Sequence, residues 1–138
     1  MNRDWSWGRV AVETTRRMRK APSRDRRSLW KAVVAELRPD RPSALTKSCA
    51  WGAFRGLCEN GYVNGIPATV SPAENLNGGY AVRAARMLGE NPRLAGESPM
   101  QLWRRVHGDI SHNGQMHVVL ALHDAGLLNE TPNSPKSM

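Results

Sequence analysis

A dense group of positively charged side chains early in the chain offers the clearest chemistry in this sequence. Between residues 16 and 31 there are eight lysines and arginines and one acidic residue. Both side chains bind phosphate groups through charge, and arginine also through paired hydrogen bonds. The cluster therefore predicts a surface that binds nucleic acid, or a nucleoprotein complex, through phosphate contacts. Its members are Arg16, Arg17, Arg19, Lys20, Arg24, Arg26, Arg27 and Lys31.

Nearly all of the net charge lies in this part of the chain. The 138 residues carry a net charge of +8. Residues 1–31 hold ten Lys and Arg against three Asp and Glu, which gives +7, and the remaining residues contribute +1. Such an asymmetry is typical of a protein with a polyanionic partner.

The same cations also fit an acidic protein surface as the partner, or a solvated face with no specific role. In the protein-partner interpretation, the chain is an inhibitor or adaptor encoded by a phage or mobile element, and it binds a host defence protein. Trp5 and Trp7 lie beside the basic segment, and we expect them to be exposed aromatic contacts for a partner. No oligomeric state follows from the sequence.

A second group of polar side chains, in residues 109–117, could support acid–base chemistry. The group lacks a neighbouring nucleophile and a Gly-rich phosphate loop, and its Asn is typical of a helix cap. We therefore predict no catalytic residues and expect a binding protein rather than an enzyme. A small enzyme built on this group is the remaining alternative. The group consists of Asp109, His112, Asn113, Gln115 and His117.

The sequence predicts no metal and no other cofactor. A zinc site could combine Cys49 or Cys58 with His112, His117 or His123, but the close ligand pairs of structural zinc sites are absent. The two cysteines are nine residues apart in one expected helix, too far for a disulfide within it, which favours a reducing, cytoplasmic setting. No apolar run approaches 18 residues, so we expect no membrane segment.

Helical periodicity predicts an all-α fold, a compact bundle of about six helices that positions these side chains. We expect a single helical domain over residues 1–128, at most one short hairpin near residues 62–66, and a disordered tail over 129–138. The expected helices run from Ser6 to about Lys20, from Ser23 or Asp25 to Leu37, from Ser43 to Asn60, from about Tyr80 to Leu88, from Ser98 onwards, and from Gln115 to Ala125. Their expected core consists of Trp30, Val33, Leu37, Trp51, Phe54, Leu57, Trp103, Val106, Val119 and Leu122.

Two parts of the chain, about residues 6–66 and 80–128, share one order of features. Each has an apolar helix, a Pro-marked break, a Leu-Trp helix, and a helix that ends Leu-x-x-x-Gly before two apolar residues. This pattern predicts two tandem three-helix pseudo-repeats. The offset between matching residues drifts between 65 and 73, so a chance match of helix-ending residues is the alternative.

Several short motifs resemble a family of small uncharacterised bacterial and phage-associated proteins. They include the glycines and aromatic residue of 52–61 and the apolar run of 113–127, and the resemblance covers about residues 48–128. It implies a compact helical domain and no known activity, so no catalytic residue carries over. The basic segment lies outside the resemblance, which would make it particular to this protein.

Overall fold

A computed structural model describes residues 6–40, 44, 48–107 and 114–134 of the protein. Within these ranges the regular structure is helical, apart from isolated bridge residues, which confirms the all-α class and the bundle of six helices. A short 3₁₀ helix, Pro92–Gly96, precedes the fifth helix. The α-helices are α1 (Trp7–Lys20), α2 (Arg26–Leu37), α3 (Cys49–Glu59), α4 (Leu76–Glu90), α5 (Pro99–Val106) and α6 (Gln115–Asp124).

Local capping chemistry sets the beginnings of three helices as expected. The Ser6 side chain accepts a hydrogen bond from the third amide of α1, and the Asp25 carboxylate does the same for Ser28 in α2. At α5, Ser98 and Gln101 bond each other's backbone amides and complete the expected capping box. These bonds satisfy amides that have no partner within the helix.

The beginnings of α3 and α4 differ from expectation. Helix α3 begins at Cys49, whereas the expected cap, Ser43, lies outside the described residues. Helix α4 begins at Leu76 rather than near Tyr80, because the Asn75 side chain caps it. The two glycines that follow favour a loop by propensity alone, but the cap and the packing described below outweigh that preference.

The segments that follow α3 and α6 pair with each other. Val63 forms an antiparallel bridge with Leu128, and the amide of Asn64 donates to the Leu127 carbonyl at 2.8 Å. Residues 62–66 therefore do not pair as a hairpin of their own, which agrees with the expectation of at most one.

The Asn64-Gly65 step forms a turn of another kind. Ile66 donates its amide to the Val63 carbonyl at 3.1 Å, and Gly65 has a φ of +81°. No non-glycine residue of the described part has a positive φ. A type I′ turn would need one at Asn64, so the geometry is that of a type II turn.

The first part of the expected disordered tail is held in place. Asn129 donates its amide to the Tyr62 carbonyl at 2.9 Å, and Asn133 donates its amide to the Gly61 carbonyl at 2.7 Å. The Asn133 side chain also approaches the carbonyls of Val63 and Ile66 at 3.4 and 3.3 Å. Asparagine groups therefore bond backbone carbonyls here as far as Asn133, and the disordered tail over 129–138 stays a prediction.

The two largest helix interfaces each join a helix from one half of the chain to a helix from the other half. Helix α1 packs on α6, and α4 packs on α3. Gly61 and Gly126, which follow α3 and α6, share a left-handed conformation with φ of +83° and +73°. This reciprocal arrangement is the one that a duplicated three-helix unit would give, and the duplication stays a prediction.

The core joins both halves in one cluster. The expected core residues are buried, except that Leu37 and Trp51 are partly buried at its edge. Helix α6 is buried on several sides, since Met116, Val118 and Leu122 have no exposed surface, as its uniformly apolar sequence indicates.

Glycines permit the closest helix contacts. A Cβ atom at Gly56 of α3 would overlap the Cα of Gly78 in α4. A Cβ at Gly8 of α1 would lie 2.6 Å from the carbonyl oxygen of His117 in α6. The α3–α4 and α1–α6 interfaces, which join the two halves, therefore depend on the absence of a Cβ atom at a glycine.

Gly56→Ala should lower the free energy of unfolding by about 1–3 kcal/mol, because the methyl group must push α3 and α4 apart. Gly79→Ala is the matched control in α4, where no atom lies within 4 Å of the new Cβ and helix propensity predicts a gain of up to about 1 kcal/mol. Urea unfolding followed by circular dichroism measures both. Equal stability of the two variants would contradict the close packing.

Thr14→Val should raise the free energy of unfolding by about 1 kcal/mol. The Thr14 hydroxyl is buried in α1 without a hydrogen-bond partner, and valine keeps its shape without that penalty. Thr15→Val is the control, since the Thr15 hydroxyl donates to the Ala11 carbonyl at 2.8 Å and its loss should give no gain. Thermal unfolding measures both variants. If Thr15→Val were stabilised and Thr14→Val unchanged, this assignment would be refuted.

Candidate phosphate-binding surface

The eight clustered cations lie on α1, on α2 and on the five-residue connection between them, a set that we name the basic corner. Four of them, Arg16, Arg17, Arg19 and Lys20, occupy the last turns of α1. Arg24 lies in the five-residue connection, and Arg26, Arg27 and Lys31 lie in the first turns of α2. Helix α1 packs on α2, and Arg17 near the end of α1 contacts Glu36 near the end of α2.

Arg17 is already paired within the fold. Its two terminal nitrogens donate to the Glu36 carboxylate of α2 at 2.6 and 2.7 Å, and its Nε lies 3.5 Å from Glu13. The hydrogen bonds to Glu36 raise the pKa of Arg17 and lower the pKa of Glu36. This residue ties α1 to α2 and is poorly placed for a phosphate. Arg16 makes only a long contact of 3.9 Å with Glu13.

The other six cations have no carboxylate within ion-pair distance in the described part of the chain: Arg19, Lys20, Arg24, Arg26, Arg27 and Lys31. Arg19, Lys20, Arg24 and Lys31 are exposed, and the other two are partly buried. The Asp25 carboxylate is engaged by the amide and hydroxyl of Ser28, which lower its pKa. The corner therefore presents positive charge that the described residues leave largely uncompensated.

Arg27 differs from its neighbours because an aromatic ring supports it. Its guanidinium carbon lies 4.9 Å from the centre of the Trp51 ring, a cation–π contact. Trp51 in turn contacts Trp30 and Phe54, with ring centres 5.6 and 6.2 Å away. The arginine plane is thus anchored to the hydrophobic core.

Trp7 is not the exposed side chain that its position beside the basic segment suggests. It is partly buried, and its ring stacks on Trp30 with centres 6.0 Å apart and planes 3° from parallel. It also lies against the backbone of Gly114. Its neighbour Trp5 lies outside the described residues.

The polar group of residues 109–117 is described only in part, since Asp109, His112 and Asn113 lie outside the described residues. Gln115 is buried and donates to the Asn77 side chain at 3.0 Å. His117 is exposed two positions later on α6, and desolvation of its ring lowers its pKa. The two described members therefore occupy different environments on α6.

The two cysteines are free thiols, and Cys58 is buried. Complete burial raises the pKa of Cys58 to about 12, so the thiol is neutral near pH 7. The described ranges contain no group of three His, Cys, Asp or Glu side chains able to hold a metal ion.

An open groove of about 620 Å³ lies at the beginning of α4, and sequence reasoning missed it. Its polar groups are used by the fold: Asn75 caps α4, and Arg83 donates to the Val106 carbonyl at 3.0 Å. The sequence feature that points to this groove is Leu76, an apolar residue at a helix start. In the structure Leu76 is 72% exposed. The lining residues are Glu74, Asn75, Leu76, Gly79, Tyr80 and Arg83.

With this geometry established, comparison with known proteins gives one match. Residues 1–129 match the model of a family of unknown function, DUF6979. The chain belongs to this family. The matched region begins at residue 1, so the basic corner lies inside it, which corrects the expectation that the basic segment falls outside the resemblance.

Comparison with curated proteins gives no match, and comparison with solved structures gives none. No helix among the described residues is long and apolar enough to cross a membrane.

Glu36→Gln should lower the free energy of unfolding at pH 7 by less than about 1 kcal/mol, because the Arg17–Glu36 pair is partly exposed. The folded-state pKa of Glu36 is lowered, so the pair stabilises the fold above the unfolded value of about 4.3 and stops doing so as the pH falls through the folded value. The difference from wild type should therefore shrink as the pH falls through the folded value and vanish below it, in a urea series across pH. A difference that stays constant across the acidic range would contradict this assignment.

Proposed function

We propose that the protein is a non-enzymatic binding module whose basic corner contacts the phosphate backbone of nucleic acid. The observation that carries this proposal is the concentration of six cations, free of ion pairs in the described part of the chain, on the α1–α2 corner. Elsewhere Arg55 and Arg105 bond acidic side chains at 2.9 and 2.5 Å. The corner is thus the place where a polyanion gains most from charge.

The corner carries a stability cost in the unbound protein, and a polyanion relieves it. Arg27 and Lys31 are one turn apart on α2, where like charges destabilise a helix by about 0.2–0.5 kcal/mol. Two further cations, Arg24 and Arg26, flank the start of α2, the end of a helix that disfavours positive charge. Phosphate groups beside these side chains reverse the sign of both effects.

The alternative partner, an acidic surface of another protein, uses the same cations. Its aromatic contribution is smaller than the sequence indicates, because Trp7 is stacked on Trp30 rather than exposed. The enzyme alternative has less support, because the described members of the 109–117 group, Gln115 and His117, differ in burial.

The proposal predicts that Arg24→Glu with Lys31→Glu weakens nucleic-acid binding at least tenfold. The salt dependence should also fall, with the slope of log K against log salt reduced by about 2. Both side chains are exposed, so the fold should be unaffected. Fluorescence anisotropy of labelled DNA and RNA across a salt series makes the measurement.

A control with the same change of charge is Arg93→Glu with Arg104→Glu, at two exposed arginines of the second half. It should reduce affinity far less than the corner variant. Equal losses would show that net charge, rather than the corner, governs binding. Absence of binding by the wild-type protein at low salt would refute the proposal and favour the protein partner, which a pull-down would then identify.

A further inference from the structure

We infer that the basic corner prefers double-stranded nucleic acid to single strands, and that Arg27, stacked on Trp51, is the fixed anchor for a phosphate group. This inference rests on the proposed function and deepens it. Proteins that hold single strands combine cations with aromatic rings that are free to stack on bases. The tryptophan rings that the structure describes at this corner, Trp7, Trp30 and Trp51, are otherwise engaged.

The aromatic rings beside the corner pack on one another. Trp30 is buried at the centre, with Trp7 stacked on it at 6.0 Å and Phe54 at 5.1 Å. Trp51 is the one partly exposed ring on the α3 side, and it carries the Arg27 guanidinium at 4.9 Å. A base that stacks on this face of Trp51 would have to displace the arginine.

The same contact suits Arg27 to a phosphate. The contact holds the guanidinium group against the ring, and a guanidinium group can donate a pair of hydrogen bonds to phosphate oxygens. No carboxylate in the described part of the chain lies within ion-pair distance of these donors. A side chain already held in place loses less freedom on binding than an extended, mobile one.

The surrounding cations favour the polyanion with the higher charge density. Lys31 lies one turn beyond Arg27 on α2, and Arg24 lies just before that helix. Double-stranded DNA carries one charge per about 1.7 Å of axis, and its counterion release exceeds that of a single strand. Without a free stacking surface to compensate, a single strand should bind the corner more weakly.

The test compares anisotropy titrations of a labelled duplex and of one of its strands, chosen without self-structure, using the full chain. We expect the duplex to bind at least fivefold more tightly. Arg27→Lys keeps the charge but loses the planar pair of donors, and it should weaken duplex binding by about five- to tenfold with an unchanged salt slope. Arg93→Lys is the matched control at an exposed site outside the basic corner and should change affinity less than twofold.

Tryptophan fluorescence supplies an independent readout. A base stacked on Trp51 would quench its emission, whereas a phosphate bound by Arg27 leaves the indole without a stacked base. Tighter binding of the single strand, with quenching, would overturn the inference. An Arg27→Lys variant that binds as tightly as Arg93→Lys would also overturn it. The proposed function would still stand in that case if the Arg24→Glu, Lys31→Glu variant loses binding. Absence of binding by wild type to either probe would remove both.

Discussion

The close approach of helices from opposite halves of the chain is the constraint on which the rest of the structure depends. Gly56 of α3 meets Gly78 of α4 backbone to backbone, and Gly8 of α1 meets the His117 carbonyl of α6. Because each contact crosses between halves, neither half can bury its apolar faces alone. The bridge between Val63 and Leu128 joins the same two halves through the segments that follow α3 and α6.

This packing gives the basic corner a rigid support. Helix α1, which carries half of the cations, is fixed on α6, the helix buried on several sides. Aromatic contacts then connect the core to the basic corner. The Trp30 ring contacts the Trp51 ring, which in turn contacts the guanidinium group of Arg27. Groups that must recognise a ligand are most effective on such rigid elements, since little further ordering is needed on binding.

The distribution of carboxylates separates structural arginines from those that remain available. Arg17 belongs to the same sequence cluster as Arg27, yet Glu36 and Glu13 engage it, and it contributes to helix pairing. Arg105 is held in the same manner by Glu97. Net charge by sequence count therefore overstates the number of cations open to a partner, and the paired ones mark where the fold uses charge for itself.

The sequence alone determined the features that act over three or four residues: the caps at Ser6, Asp25 and Ser98, and the left-handed glycine after α3. Tertiary structure decided the rest. Helix α4 includes Gly78 because that glycine fits against Gly56. Val63 pairs with Leu128 rather than within its own segment, and Arg17 is neutralised by a glutamate on the next helix. The sequence predicted Trp7 as a surface contact, whereas in the structure its ring stacks on Trp30. A cap bonds its own helix, so its residues are neighbours in the chain, whereas these contacts join residues that only folding brings together.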